Sequence, residues 1–422
     1  MSDKAKTVTK ISIVGLVALF MTVFIYMADL AYYPAFYGTM MAFPDADMGV
    51  LNFIMTGSQL SAAVSAFLVI SLMRKFSKKT LLLVCTGAFA VFGICTPLVN
   101  DVMFVAAMRT LSGFAFGGIM GVAVSLIQQV YRNNAKKRDQ LVGWYNGFMS
   151  LSGTINSLAG GFLAAISWNY VFSFYWIAVP IFVLVLLFVP KTPVDGADGD
   201  SSDEMEALAA AASQPETGEG GWEGTLPKAI GAAVSFGVIS LVYMACGSGQ
   251  LSVIVPELGI GGEEVAGLIA AVASVAGFFA GIVFAPAFAK LGRFMPVVLF
   301  AIMAVGIGCY CMGANVVLIY VGFCLDAFSY AAGLSYYMVY AAEVVPPSKA
   351  STAITIVTIG MTLGGFISPY AVTALQTALG SAEVMPIYPV LALCIVAATV
   401  ISLVLAIRSK KSGEQIVSAA EM

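Results

Sequence analysis

Hydrophobic positions along this chain do not alternate with polar ones at a short period. They run on for about twenty residues, stop at a few polar ones, and resume. A run of that length crosses the roughly 30 Å hydrocarbon layer as one α-helix. The runs predict twelve transmembrane helices, at 11–37, 50–73, 80–99, 102–130, 140–166, 169–190, 228–255, 265–289, 296–313, 315–342, 350–377 and 386–407. Several meet at turns as short as "LVND" and "MGAN". The first run follows "MSDKAKTVTK" and carries no A-x-A cleavage pattern, so it reads as a retained helix rather than a signal peptide. One stretch breaks the rhythm. Residues 191–227 are acidic and rich in Gly, Ser and Pro, and read as a flexible linker. Within it "SSDEMEALAAAA" allows a short helix capped by Ser202, and a docking or regulatory loop is the alternative. The expected organisation is a six-helix half at 1–190, a linker at 191–227 and a second six-helix half at 228–422.

Composition turns this pattern into a class. Hydrophobic residues make up 60% of the chain and charged residues only 10%, with a mean hydropathy of +0.95. Soluble domains carry about 25% charged residues. The chain is therefore an all-α integral membrane protein whose principal partner is the lipid bilayer, with no footprint for nucleic acid. All 7 cysteines lie in apolar runs and read as small apolar fillers. Cys309-x-Cys311 has the wrong spacing for a redox pair, and without histidine no metal site is suggested. No cofactor is expected. The absence of histidine also means that any proton moved near neutral pH must ride on a carboxyl group.

Charge gives direction. Every lysine and arginine except Arg109 falls on one side of the twelve-helix scheme, while the opposite loops hold acids such as Asp45, Asp101, Glu257 and Glu383. The positive-inside rule makes the basic side cytoplasmic, with both termini inside.

The chain also repeats itself. A shift of 217 residues lays Tyr26-Met27-Ala28 on Tyr243-Met244-Ala245, Gly143 and Gly147 on Gly360 and Gly364, and Arg109 on Asp326. Such a register predicts two parallel six-helix repeats, a known transporter plan with substrate bound between the halves. With these features the sequence resembles the major facilitator superfamily over nearly its whole length. "RTLSG" (109–113) looks like that family's R-x-x-x-G motif. "GGFLAAISWNYVFSFYWIAVPI", "AKLGR" and "AAEVVPPSKAS" are similar to its entry into helix six, its second-half loop motif and its link from helix ten to eleven. Two motifs depart from the family. In "LMRKFSKKT", Arg74 stands where the loop motif has Asp and Ser77 where it has Gly. In the fifth helix Asn156 and Ser157 occupy the Gly-Pro of the antiporter motif, while Gly160 and Gly161 are kept.

The candidate chemistry begins with "VFIYMADLAYYPAFY" (23–37), where Asp29 interrupts an apolar run. A bare carboxylate in hydrocarbon costs several kcal/mol and so demands a function or a partner. Only Asp29, Arg109 and Asp326 are clearly intramembrane charges. They lie on helices one, four and ten, three of the four that the resemblance implies line a central cavity. Helical spacing puts Tyr26, Asp29, Tyr33 and Tyr37 on one face, Asp326, Tyr330, Gly333 and Tyr337 on another, and Tyr243, Cys246 and Gln250 on a third. The expected substrate-binding set is Tyr26, Asp29, Tyr33, Arg109, Tyr243, Gln250, Asp326, Tyr330 and Tyr337. Asp29 and Asp326 are the proton-coupling candidates. Because the repeat relates Arg109 to Asp326, these two are expected to pair, leaving Asp29 as the proton carrier. The many glycines at small-x-x-x-small spacing are assigned to helix packing and motion.

These features describe a monomeric secondary active transporter of the cell membrane, moving a small organic molecule by alternating access. No G-x-x-x-x-G-K-[ST] loop supplies ATP chemistry, and without histidine a nucleophile–base constellation for an enzyme is hard to build. An acid in helix one with "RTLSG" in helix four resembles the proton-coupled drug efflux branch, and the aromatic lining suits lipophilic or aromatic compounds. The alternative is a proton symporter for a small organic anion, with Arg109 as carboxylate clamp. A membrane sensor on the same scaffold is the reading from another class.

Overall fold

The computed structural model describes residues 11–73, 75–131, 134–191, 226–312, 315–345 and 350–411. Among these residues every regular element is helical. In chain order the helices are α1 (Ile13–Tyr26), α2 (Asp29–Tyr32), α3 (Phe36–Ala42), α4 (Met48–Met73), α5 (Lys78–Cys95), α6 (Val102–Gly117), α7 (Ile119–Val130), α8 (Ala135–Ala164) and α9 (Ala178–Phe188). After the linker come α10 (Leu226–Tyr243), α11 (Leu251–Glu257), α12 (Glu263–Leu291), α13 (Met295–Cys311), α14 (Val316–Glu343), α15 (Ala350–Leu379) and α16 (Tyr388–Lys411). The linker expected at 191–227, including "SSDEMEALAAAA", lies outside the described residues except at its two ends, as does Arg74.

Ten helical runs are long and apolar enough to cross a membrane, and the bent pair Ile13–Tyr26 with Asp29–Ala42 makes an eleventh. The helix α8 begins with the basic stretch "AKKRD" and so is less apolar, yet its 30 residues extend about 45 Å, enough for a twelfth pass. Polar side chains cap the helices where the chain turns back. Ser12 accepts from Gly15 N at 3.0 Å, Ser77 from Thr80 N at 3.3 Å and Asp101 from Phe104 N at 2.8 Å. Ser77, the departure from the loop motif, thus serves as the N-cap of α5.

The first and seventh spans are broken. The first breaks after Tyr26 and bends by 40°, with Pro34 in the following 3-10 turn Tyr33–Ala35. The seventh passes from α10 into a π turn, Met244–Ser248, where Gly249 N reaches back to Met244 O at 3.0 Å, before α11 starts. A lone π turn inside a helix often marks a functional site. These breaks correct the expectation of continuous faces. Tyr26, Asp29, Tyr33 and Tyr37 are distributed over four short elements, and Tyr243, Cys246 and Gln250 straddle the π turn.

Contacts divide the chain into two units. The first comprises Met1–Asp29, Gly57–Gly153 and Phe172–Ala210; the second comprises Leu30–Thr56, Thr154–Val171 and Ala211–Met422. Within the first, α4 and α6 cross backbone to backbone. A β-carbon on Gly113 would run into Ser58, and one on Gly117 into Ala62, while Ser61 Oγ donates to Thr110 O at 2.7 Å across the crossing. Within the second, Gly360 meets the backbone of Ala233 on α10, and Gly364 that of Gly237. Lipid tails are as apolar as leucine, so close approach of small residues holds such helices together. The second unit also ties first-half segments to second-half helices at their acidic ends. Asn52 Nδ2 donates to Thr373 Oγ1 at 3.0 Å and to Pro369 O at 3.3 Å, and Gly161 on α8 abuts Gly267 on α12.

Candidate functional site

The first unit encloses a neutralised ion pair. Asp29 opens α2 directly after the break in the first span. Arg109, 1% exposed, reaches it from α6 and donates from Nη2 to Asp29 Oδ1 at 2.8 Å. Ser58 on α4 donates to both carboxylate oxygens, at 2.9 and 3.0 Å. Arg109 Nη1 also approaches the Tyr175 hydroxyl at 3.4 Å, and that hydroxyl approaches Ala28 O at 3.5 Å. The Gly113–Ser58 crossing brings α4 close enough for this cluster to close. Both charges are matched, and each has hydrogen bonds beyond the pair, the condition under which a buried ion pair is tolerated.

The second unit encloses an acid that pairs with no cation among the described residues. Asp326 on α14 is fully buried, and neither carboxyl oxygen makes a hydrogen bond. Its Oδ1 lies over Gly306 on α13, where any β-carbon would collide with it. Tyr310 from α13, Cys246 from the π turn and Tyr388 from α16 surround the carboxyl group. The Tyr310 hydroxyl stands beside it without a hydrogen bond of normal geometry. The Tyr310 and Tyr388 rings are 5.2 Å apart, and the Tyr388 hydroxyl donates to Cys246 O at 3.2 Å. Unpartnered buried polar groups are rare enough that each calls for a role.

An aromatic ladder runs along the same helix. Tyr337 stacks on Phe236 at 5.5 Å, Phe236 on Tyr330 at 5.7 Å, Tyr330 on Tyr243 at 4.5 Å and Tyr243 on Phe323 at 5.9 Å. Tyr243 and Tyr330 keep part of their surface open, whereas Tyr337, Phe236 and Phe323 are buried. Gln250, at the start of α11, opens onto a cavity of about 530 Å³.

These positions sort the expected residues. The structure joins Asp29 to Arg109, and joins Tyr243, Tyr330 and Tyr337 in the ladder. Tyr26 packs edge-on against Phe116 at 6.4 Å in the first unit. Tyr33 is buried in the second unit and Gln250 lines the cavity. The expected Arg109–Asp326 pair is not formed: Arg109 is salt-bridged to Asp29, and the oxygens of Asp326 bond to nothing. The reason lies in the repeat itself. Equivalent positions face equivalent neighbours inside their own repeats, and 29 plus 217 is 246, so the counterpart of the Asp29–Arg109 pair is Cys246–Asp326. Ser58, Tyr175, Tyr310 and Tyr388 were missed. Carrying the register through Asp29 would have pointed to Cys246, but nothing in the sequence singled out those four.

Among the described residues eleven apolar passes, a further helix long enough for a twelfth, breaks at repeat-related positions and a buried carboxyl group beside each break describe a multi-pass membrane protein. The model of the Major Facilitator Superfamily matches residues 18–369, and the chain belongs to that family. It is a transporter and not an enzyme. Among curated proteins no sequence match is found. Solved structures similar in fold include the nucleoside transporter NupG (12% identity, TM-score 0.72, covering 92% of this chain and 98% of that one). A D-xylose-proton symporter is similar at 16% identity and a TM-score of 0.63, covering 92% and 95%. A bacterial homolog of the human lysosomal transporter Spinster, in an inward-facing and occupied conformation, is similar at 14% identity and a TM-score of 0.64, covering 93% and 94%.

Proposed function

We propose that this transporter is a proton-coupled exporter of lipophilic, aromatic compounds in the cell membrane, with its basic loops and both termini cytoplasmic and with two six-helix halves joined by the 191–227 linker. The observation that carries the reading is the buried, cation-free carboxyl group of Asp326 on the helix that bears the stacked Tyr330. When a proton leaves a carboxyl group held without a partner, the free energy of its surroundings rises by several kcal/mol. A group whose charge carries that penalty biases which conformation the protein adopts, which is what coupling requires. Asp29 cannot act this way while Arg109 neutralises it, so the carrier role passes to Asp326. Tyr243 and Tyr330, each stacked between two other rings but partly open, offer their ring edges to an aromatic cargo. A carboxylate cargo clamped by Arg109 would have to displace Asp29 from it, which disfavours the anion-symport reading.

The test is transport in proteoliposomes with an imposed pH gradient, using a fluorescent aromatic cation and a small aromatic carboxylate as cargoes. The proposal expects the cation to move against the proton flux. It expects Asp326→Asn to lose gradient-driven accumulation while still exchanging labelled for unlabelled cargo. Co-transport of the carboxylate with protons, lost in Arg109→Lys, would establish the symporter instead.

A further inference from the structure

The cavity beside Gln250 lies in the second unit at the end of the helices that carries the acidic loops. Its rim is exposed: Thr377 and Gly380 at the end of α15, and Ala382 in the following loop. Its inner wall is buried, with Gln250 5% and Val384 2% exposed. These two residues fix where the cavity leads. Gln250 follows the π turn, one turn from Cys246; Val384 precedes the turn Met385–Ile387, one turn from Tyr388. Cys246 and Tyr388 are the residues joined by the 3.2 Å hydrogen bond next to Asp326. The cavity therefore ends about one helical turn above the buried acid, on two separate elements. Its lining holds no charged side chain, but Gln250, Thr373, Gln376, Thr377 and Ser381 supply amides and hydroxyls. A cavity of about 530 Å³ with these groups on its wall is roomy and polar enough to hold water.

We infer that this cavity is the proton port of Asp326 on the acidic-loop side. It holds water, hydronium enters past Thr377 and Gly380, and the proton passes Gln250 and the Tyr388–Cys246 contact to an Asp326 carboxyl oxygen. A hydronium O–H bond breaks as the carboxyl O–H forms, and water is left in the cavity. The groups facing Asp326 are Tyr310 and Cys309 from α13, Cys246 from the π turn and Tyr388 from α16. From α11 Glu257 faces Tyr388 and accepts from Val384 N and Met385 N, each at 2.9 Å. The inference rests on Asp326 being the proton carrier.

The experiment uses the full chain in liposomes, with Thr377→Cys at the rim and a bulky, membrane-impermeant cationic thiol reagent. The parental chain, treated alike, controls for the native cysteines. The readout is the infrared band of a protonated carboxyl group that vanishes in Asp326→Asn, followed after a pH jump on the acidic-loop side. Modification of Thr377→Cys is expected to abolish the fast response of that band while cargo exchange continues. Gln250→Leu is expected to slow it without reagent. A band that responds as fast with the rim blocked and in Gln250→Leu overturns the port alone. A band untouched by pH in the parental chain overturns the carrier assignment and the port with it.

Discussion

The two buried centres occupy the same place in the repeat and solve opposite problems. In the first unit a carboxylate at a helix break meets a guanidinium and a serine, the guanidinium in turn approaches a tyrosine hydroxyl, and the charges are matched. In the second the register substitutes Cys246 for Asp29 and Asp326 for Arg109, so the acid moves to the other helix and the cation disappears. A tyrosine stands by each break, although the register does not relate the two: Tyr175 approaches the Ala28 carbonyl in one, and Tyr388 bonds the Cys246 carbonyl in the other. Both helices are broken at that point, so each tyrosine reaches a carbonyl near the break. The scaffold of the centre is thus common to both repeats, while the charge is not. On the proposed function the second centre is the one that exchanges a proton. Substitutions should affect them differently, and the sharpest contrasts come first.

The largest effect is expected at Arg109. Arg109→Ala strands the Asp29 carboxylate in a site from which water is excluded, at a cost of about 3–5 kcal/mol. Thermal melting of the purified protein should fall sharply, or yield should collapse. Arg109→Ala combined with Asp29→Ala should be milder than the sum of the single changes, as coupled neighbours require. Additive losses would break the comparison at its first term. Next comes packing in the second centre. Gly306→Ala drives a methyl group into Asp326 Oδ1 and towards the Gly322 carbonyl, an overpacking worth about 1–3 kcal/mol. Pairing Gly306→Ala with Asp326→Ala should recover most of that loss in the same melting assay, because the methyl group then has room.

How far the sequence showed all this depends on what kind of signal each feature leaves. The twelve spans were visible because a bilayer demands about twenty apolar residues in a row. The helix found at Ala135–Ala164 matches the run read at 140–166 except for its last two residues, and the one at Glu263–Leu291 covers the run at 265–289. Asp29, Arg109 and Asp326 stood out because charge in an apolar run is conspicuous. Their partnership did not, because pairing was inferred from equivalence, and a repeat places equivalent residues in equivalent surroundings rather than in contact. Ser58, Tyr310 and Tyr388 are ordinary residues made functional by helix crossings that a single sequence does not encode locally. Nor did helical spacing anticipate the π turn, which sends Gln250 into the cavity and leaves Cys246 beside Asp326.

A smaller effect is expected where the two centres agree. Tyr388→Phe keeps the ring against Tyr310 and removes only the hydroxyl that bonds Cys246 O. Interhelical hydrogen bonds in membranes are worth about 0.5–1 kcal/mol, so melting should drop slightly. Tyr175→Phe should lose no more, since its contacts are longer, at 3.4 and 3.5 Å. A drop at Tyr388 several times that at Tyr175 would show that its hydroxyl supports Asp326 and not merely the helix break.

The smallest effect on stability is expected for Asp326→Asn, and its contrast with the same exchange at Asp29 separates the centres most cleanly. Asp29→Asn removes a charge that Arg109 needs; the guanidinium is left buried without its counterion, and the cost should again approach about 3–5 kcal/mol. Asp326→Asn removes a carboxyl group that no cation answers. The amide has the same shape and meets the same unpartnered surroundings, so stability should change by less than about 1 kcal/mol. Melting curves of the two variants, recorded side by side in the same detergent, should therefore diverge widely although the chemical change is identical. Transport should complete the contrast, because Asp326→Asn folds well enough to be assayed and yet should fail to accumulate cargo against a pH gradient. Equal losses of stability in the two variants would mean that Asp326 is charged and compensated in the folded protein, and the distinction between a fixed centre and a titrating one would fall.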